Sequence, residues 1–169
     1  MLKNYIKEDQ KLPLFGIGPY LILTMAIVSI IGVILFGYVL NVGTLEGVWV
    51  IVFRFIGIML LVIGISIWYI GAVKSDMDDS ITENRLQTKG IYSIVRNPMY
   101  SGWWIAFSGI ILMWHNAWML LLPLINWLVM TVILVNTEEK WLTHLYGNEY
   151  TEYKKHVNRC IPWKRKKGN

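Results

Sequence analysis

Four apolar stretches, at roughly residues 20–40, 48–73, 98–114 and 118–135, constrain this chain more than any other feature of its sequence. A helix that crosses the hydrocarbon of a bilayer needs about 20 residues, each rising ~1.5 Å. The first, second and fourth stretches meet or nearly meet that length. The third is about 16 residues, roughly 24 Å, so its inner end sits at the membrane boundary or is continued by residues before Pro98. Composition points the same way: 55% of the 169 residues are hydrophobic and only 16% are charged. A soluble domain this small buries only about two-thirds of the surface it exposes unfolded, too little to hide so much apolar side chain. Nine Trp and nine Tyr suit bilayer interfaces. The predicted fold is therefore all-α and integral to the membrane, with about four transmembrane helices in a single domain spanning 1–169.

The basic residues orient the spans. Residues 1–19 carry three Lys or Arg, 74–97 carry four and 136–169 carry eight, whereas the connections 41–47 and 115–117 carry none. Cytoplasmic loops hold the positive excess, so both termini and the 74–97 loop are expected in the cytosol, with a prokaryotic cytoplasmic membrane as the setting. The formal charge of +5 then reflects topology and membrane lipid contact, not nucleic acid. The run Lys164-Arg165-Lys166-Lys167 beside a membrane exit reads as an inner-leaflet contact. The first apolar run is longer than a signal-peptide core and lacks a small-residue cleavage pattern, so it reads as a retained span. A single cysteine, Cys160, excludes an internal disulfide or a cysteine metal cluster.

Ionisable residues inside a membrane are the first place to look for function. Arg54 is the one that falls clearly within a span, near enough to its outer end to snorkel. The other polar residues gather on the cytosolic side in two places. One is Asn84-Arg85-Leu86-Gln87-Thr88-Lys89-Gly90-Ile91-Tyr92 followed by Arg96-Asn97-Pro98-Met99-Tyr100-Ser101-Gly102; the other is Thr137-Glu138-Glu139. The tight hairpin His115-Asn116-Ala117 makes the third and fourth spans antiparallel, so both groups end at the same membrane face and can line one pocket.

Adjacent helical residues point about 100° apart, so the two glutamates face different ways. Glu138 shares its face with Trp141, Leu142 and Leu145, which is apolar and expected to pack inward; Glu139 lines up with Thr143 and Tyr146. Glu138 is thus the carboxylate expected to be partly buried, and two readings fit it: a structural tie to Arg96, or an acceptor for a ligand's hydroxyls or ammonium. Pro98 removes a backbone N–H and biases Asn97 away from helix, giving irregular backbone that either kinks a helix or lines a cavity. The tail from Gly147 to Trp163, with Tyr146, Tyr150, Tyr153 and Val157 at helical spacing, reads as a cytosolic amphipathic helix stopped by Pro162. It either anchors at the interface or folds over the pocket. Asp76, Asp78 and Asp79 lack the Gly and Glu of a calcium loop, and no His–carboxylate spacing suits zinc, so no metal is expected.

In these residues the chain resembles the isoprenylcysteine carboxyl methyltransferase family, which belongs with the phospholipid N-methyltransferases. The likeness runs over about 84–163 and is carried by Leu86-x-Thr88-x-Gly90-x-Tyr92, Arg96-Asn97-Pro98-Met99-Tyr100-x-Gly102, Glu138-Glu139, Tyr146-Gly147-x-x-Tyr150-x-x-Tyr153 and Ile161-Pro162. The resemblance implies a membrane methyltransferase with S-adenosylmethionine as cofactor, bound on the cytosolic side. Its acceptor would be an amphipathic, lipid-like or prenylated small molecule offering a carboxylate, thiol or amine. By position it implies a cofactor site made by Asn84, Leu86, Gln87, Tyr92, Arg96, Asn97, Pro98, Tyr100, Glu138 and Glu139, with no catalytic residue assigned. Two positions depart from the family pattern. Asn97 stands where the family usually has histidine, which argues against an imidazole base, and Leu134 stands where eukaryotic members place a substrate-contacting arginine, which argues against a prenylcysteine carboxylate.

Methyl transfer from a sulfonium is an in-line displacement, and holding the reactants in line supplies roughly 7–11 kcal/mol of the barrier. Two other readings compete: a sterol-reductase-like membrane enzyme using NADPH, whose members are usually longer, and a small membrane exporter, which needs a carboxylate inside a span where this chain has none.

Overall fold

The computed structural model describes residues 16–75 and 77–162, leaving the N-terminal lysines, Asp76, Trp163 and the basic run 164–167 outside the described residues, along with the side chains of Asp78 and Thr82. Among the described residues seven α-helices follow one another: α1 (Gly18–Ile34), α2 (Val48–Ala72), α3 (Met77–Thr82), α4 (Pro98–Leu112), α5 (Leu121–Asn136), α6 (Glu138–Tyr146) and α7 (Asn148–His156). A π-helical turn, Leu35–Val39, extends α1, and 3-10 turns occupy Gly90–Ser93 and Trp118–Leu120. The described residues are otherwise loop, with two isolated β-bridges. The all-α membrane fold expected from the sequence is the fold observed. Among the described residues three helical stretches are long and apolar enough to cross a membrane: Gly18–Val39, Val48–Ala72 and Trp118–Tyr146. The third apolar stretch of the sequence forms α4, which has only 15 residues.

α4 is short but it is held tightly. The buried residues of α2 are Gly57, Gly64 and Gly71, seven apart and therefore on one stripe. A Cβ on Gly64 would lie 2.5 Å from the backbone N of Ala106 and 2.6 Å from the carbonyl O of Gly102. One on Gly57 would lie 2.6 Å from the carbonyl O of Gly109. The two backbones touch, which is how apolar helices associate when water provides no drive between them. The rest of α2 presents Ile51, Phe55, Ile58, Val62 and Ile65 outward, an exposed apolar surface suited to lipid. Arg54 is exposed on the same helix.

On the other side of α4, Leu21 and Met25 of α1 pack with Met130 and Leu134 of α5, Tyr100 of α4 and Cys160 of the tail. Asn126 of α5 donates to Ser29 Oγ of α1 at 2.9 Å, a polar tie between two apolar helices.

Each end of the bundle is closed by backbone pairing. At one end the connections 41–47 and 113–117 join, with Leu45 N donating to His115 O and Ala117 N to Gly43 O, both at 2.8 Å. Asn116 donates to Val42 O at 2.7 Å and accepts from Trp118 N at 2.9 Å, fixing the turn into α5. At the opposite end, Arg96 N donates to Asn158 O at 2.8 Å and Asn97 N to Arg159 O at 3.0 Å. Ser101 Oγ donates across to Cys160 O. The C-terminal segment differs here from the single helix expected over 147–163. Gly147 (φ +54) separates α6 from α7, and α7 ends at His156, with Val157 already extended. Pro162 lies well beyond that end. What stops the helix is the pairing of 158–160 with Arg96 and Asn97, just before α4, and with the Ser101 hydroxyl in its first turn.

Candidate functional site

A cavity enclosing about 820 Å³ of empty space, counting its open mouth, lies at the end of the bundle where α4 begins and α5 gives way to α6. Its position follows from local backbone. Pro98 starts α4, with Asn97 before it in non-helical geometry (φ −128, ψ 62), so the preceding loop is folded back rather than continued as helix. Thr137 (φ −121, ψ −83) breaks the helix between α5 and α6, which puts Glu138 and Glu139 in the first turn of α6, where the helix dipole favours carboxylates.

Of the ten residues singled out in the sequence, Leu86, Gln87, Tyr92, Arg96, Asn97, Tyr100 and Glu138 line this cavity. Three stand back from it. Pro98 is buried against α2, where its ring would lie 3.2 Å from a Cβ on Gly71. Asn84 is half-buried in the loop behind Arg85, with φ +50. Glu139 is 6% exposed and turned toward two arginines.

The two glutamates do different things. Glu139 accepts from Arg96 at 3.0 Å and from Arg159, making a compact buried cluster. The structural tie to Arg96 weighed for Glu138 is thus made by Glu139, which is also the more buried of the pair. Glu138 accepts from Tyr100 Oη at 2.8 Å and keeps part of its surface open to the cavity it lines. The face it shares with Trp141 and Leu142 is indeed inward, but inward means toward the cavity, since both of those residues line it too.

Other lining residues had weaker marks in the sequence. Tyr146, Tyr150 and Tyr153 come from α6 and α7, so α7 covers the cavity, as the folded-over reading of the tail has it. Tyr150 is 1% exposed; Arg96 lies over one side of its ring at 5.8 Å and Lys154 approaches it at 5.9 Å. Tyr153 Oη donates to Tyr92 O, tying α7 to the loop, and Gln87 Nε2 donates to Ser75 O, tying that loop to the end of α2. Asn97 Nδ2 donates to Arg159 O at 3.4 Å, so the residue in the family's histidine position tethers the tail. Met99 of α4, within the Arg96–Gly102 motif, adds to the apolar wall, and Met77 and Ile81 of α3 complete it, though no spacing rule in the sequence joined those two to it.

Burial sets the chemistry of the groups outside the spans. It raises the phenols of Tyr92 and Tyr153 and pushes Tyr150 up to about 12, so none is a phenolate at neutral pH. Burial likewise pushes the Cys160 thiol up to about 12, which keeps it from acting as a nucleophile. No group of three or more His, Cys, Asp or Glu that could hold a metal occurs among the described residues.

The phospholipid methyltransferase family model matches residues 49–149, which span α2 through the start of α7 and hold most of the cavity wall. The chain belongs to the phospholipid methyltransferase family. Among individual proteins it is similar to methanethiol S-methyltransferase 1 of Bradyrhizobium diazoefficiens, 36% identical over 87 residues, half of this chain and 28% of that protein. It is also similar to a methanethiol S-methyltransferase of Pseudomonas deceptionensis, 35% identical over 47% of this chain and 29% of the relative. The protein-S-isoprenylcysteine O-methyltransferase of Schizosaccharomyces pombe is 35% identical over 47% of this chain and 34% of the relative. The matched stretch therefore spans about a third or less of these relatives. No solved structure matches the chain.

Proposed function

We propose that this chain is an integral-membrane methyltransferase that binds S-adenosylmethionine in the cavity and passes its methyl group to a small or lipid-like acceptor. One observation carries the reading: the loop 86–97 and Glu138, both within the stretch matched by the methyltransferase family, meet the α7 tyrosines just beyond it on one cavity. The similar proteins are named for methylation of methanethiol on sulfur and of isoprenylcysteine on oxygen, both acceptors with apolar bodies.

The donor set fits the cofactor. Arg96 Nε and Tyr146 Oη are buried without a hydrogen-bond partner among the described residues, and both belong to side chains on the cavity wall. A ligand with several polar groups supplies such partners. The aromatic wall of Tyr92, Trp141, Tyr146 and Tyr150 suits an adenine ring and a positively charged sulfur. Arg96 suits the carboxylate of the amino-acid part, and Asn97 with the backbone around Leu86 and Gln87 borders it. Glu138 would offset the sulfonium charge, while Asn84, Pro98 and Glu139 support these walls from behind. The cofactor, when bound, supplies an electrophilic methyl group. The protein's part is to align acceptor and methyl, to keep water out beneath α7, and to hold Tyr100 and Glu138 beside them.

Titration of the purified protein in detergent with S-adenosylhomocysteine tests this. Saturable binding is expected, and Glu138→Ala weakens it at least about tenfold, an effect of ~1.4 kcal/mol. Glu139→Ala weakens it less in the fraction that stays folded. Absence of binding, or binding of NADPH in its place, sinks the proposal.

A further inference from the structure

The acceptor is left open by that reading, and the charges around the cavity narrow it. Among the described residues, two cations lie on its wall, and each is already paired with a carboxylate: Arg85 with Glu83 and Arg96 with Glu139, both at 3.0 Å. Glu138 is arranged differently. Its Oε2 accepts from Tyr100 Oη at 2.8 Å, while Oε1 accepts no hydrogen bond among the described residues. Part of the wall is apolar: Gly16, Met99 and Leu142 line the same cavity, a Cβ on Gly16 would lie 3.9 Å from the Tyr100 hydroxyl, and Leu134, one turn before Glu138, is fully buried. Neither the nearby phenols of Tyr92, Tyr150 and Tyr153 nor the Cys160 thiol offers an alternative base, since burial raises all four.

Three acceptor chemistries fare differently at such a place. A carboxylate would bring a second anion beside Glu138, leaving the single charge of the sulfonium to balance two, since both wall cations among the described residues already have carboxylate partners, and an uncompensated buried anion is costly. An amine arrives as an ammonium, so its positive charge meets that of the sulfonium until the proton is lost. A thiol arrives neutral, which suits the apolar wall, and its conjugate base is drawn toward a sulfonium. An aliphatic thiol titrates near ~8.5 and so arrives mostly protonated, which gives a nearby carboxylate something to do.

We propose, resting on the methyltransferase reading, that the acceptor is a neutral thiol and that Glu138 is the base that takes its proton. Glu138 Oε1 takes the proton from the S–H bond, and the pair left on the acceptor sulfur forms a new sulfur–methyl bond. The old sulfur–methyl bond breaks as that one forms, its pair remaining on the sulfonium sulfur, which becomes a neutral thioether. The products are a methyl thioether, S-adenosylhomocysteine and a proton, which Glu138 returns to water. Tyr100 holds the carboxylate through Oε2 and leaves Oε1 to the acceptor.

The test uses the full chain in lipid nanodiscs, with S-adenosylmethionine labelled in its methyl group. Octanethiol, octanoate and octylamine serve as acceptors with the same tail and different heads. Binding of S-adenosylhomocysteine is read first on the same preparation, so its absence overturns the underlying reading and not the choice of acceptor. Given binding, label is expected on octanethiol at a rate at least about tenfold above the other two. Glu138→Gln, compared at saturating cofactor, lowers kcat for octanethiol about 100-fold at neutral pH. That loss shrinks as pH rises, and it shrinks for thiophenol, which ionises without help. A structural role would leave the loss unchanged across pH and thiol. Transfer to octanoate or octylamine at an equal or greater rate overturns the proposal, as does binding without transfer to octanethiol or a Glu138→Gln loss independent of pH.

Discussion

Two adjacent glutamates in one helical turn have separate fates, and the separation is testable residue by residue. Glu139 sits between Arg96 and Arg159 in a nearly closed site. Removing one partner of a buried ion pair leaves the others uncompensated and costs about 3–5 kcal/mol. Arg159 is partly exposed, so the low end applies, about 3 kcal/mol. Glu139→Ala is therefore expected to lower the thermal unfolding midpoint in detergent clearly more than Glu138→Ala does, even though Glu138→Ala is the variant that loses ligand binding. Equal midpoints for the two variants would contradict this division. Tyr150 makes a second case. Its ring is stacked by Arg96 and buried to 1% exposure, so Tyr150→Ala is expected to weaken S-adenosylhomocysteine binding by opening the cover and freeing the Arg96 side chain, and Tyr150→Phe to preserve most of it.

At the scale of elements, the pairing of α2 with α4 decides whether the cavity exists. α4 supplies Tyr100 and carries Asn97 at its start, yet at 15 residues it has little surface with which to hold its place. The glycine stripe of α2 compensates by letting the backbones touch. Forcing a larger side chain into such a contact costs typically about 1–3 kcal/mol. Gly64→Val is expected to lower thermal stability and weaken cofactor binding together, because it pushes α4 away. Ile58→Ala, on the exposed side of the same helix, leaves both unchanged. A Gly64→Val protein that binds as the parent does would show that α4 is positioned by other contacts.

For the whole molecule, the connections 41–47 and 115–117 close one end of the bundle while the cavity, the 77–97 loop and α7 occupy the other. The basic residues concentrate at the cavity end, and we propose on that ground that it faces the cytosol. Cysteine labelling measures it. Glu46→Cys, in the exposed 41–47 connection, is expected to react with an impermeant thiol reagent on intact cells, and Glu83→Cys only in inverted vesicles. Cys160 is buried, with its thiol pushed up to about 12, and gives little background. The reverse pattern would place the cofactor site outside the cell.

The sequence by itself determined that this chain is helical, lies in a membrane, and gathers its polar residues at one end. Each of those follows from local quantities: the length of an apolar run, the placement of lysine and arginine, the spacing of side chains around a helix. Part of the cavity wall was legible too, because Leu86, Gln87, Tyr92, Arg96, Asn97, Tyr100 and Glu138 stand in motifs with fixed spacing. Only the tertiary structure decided which glutamate meets the arginines. Helical phase says that Glu138 and Glu139 point apart, but Arg159 reaches Glu139 only because the tail pairs with the start of α4. The same holds for Gly57, Gly64 and Gly71: their seven-residue spacing is plain in the chain, but a stripe of small residues names no partner until another backbone lies against it. α7 ends at His156, short of Pro162, for that reason as well. A hydrogen-bonded partner distant in sequence stopped the helix earlier, and non-local pairing leaves no periodic trace in the segment that makes it.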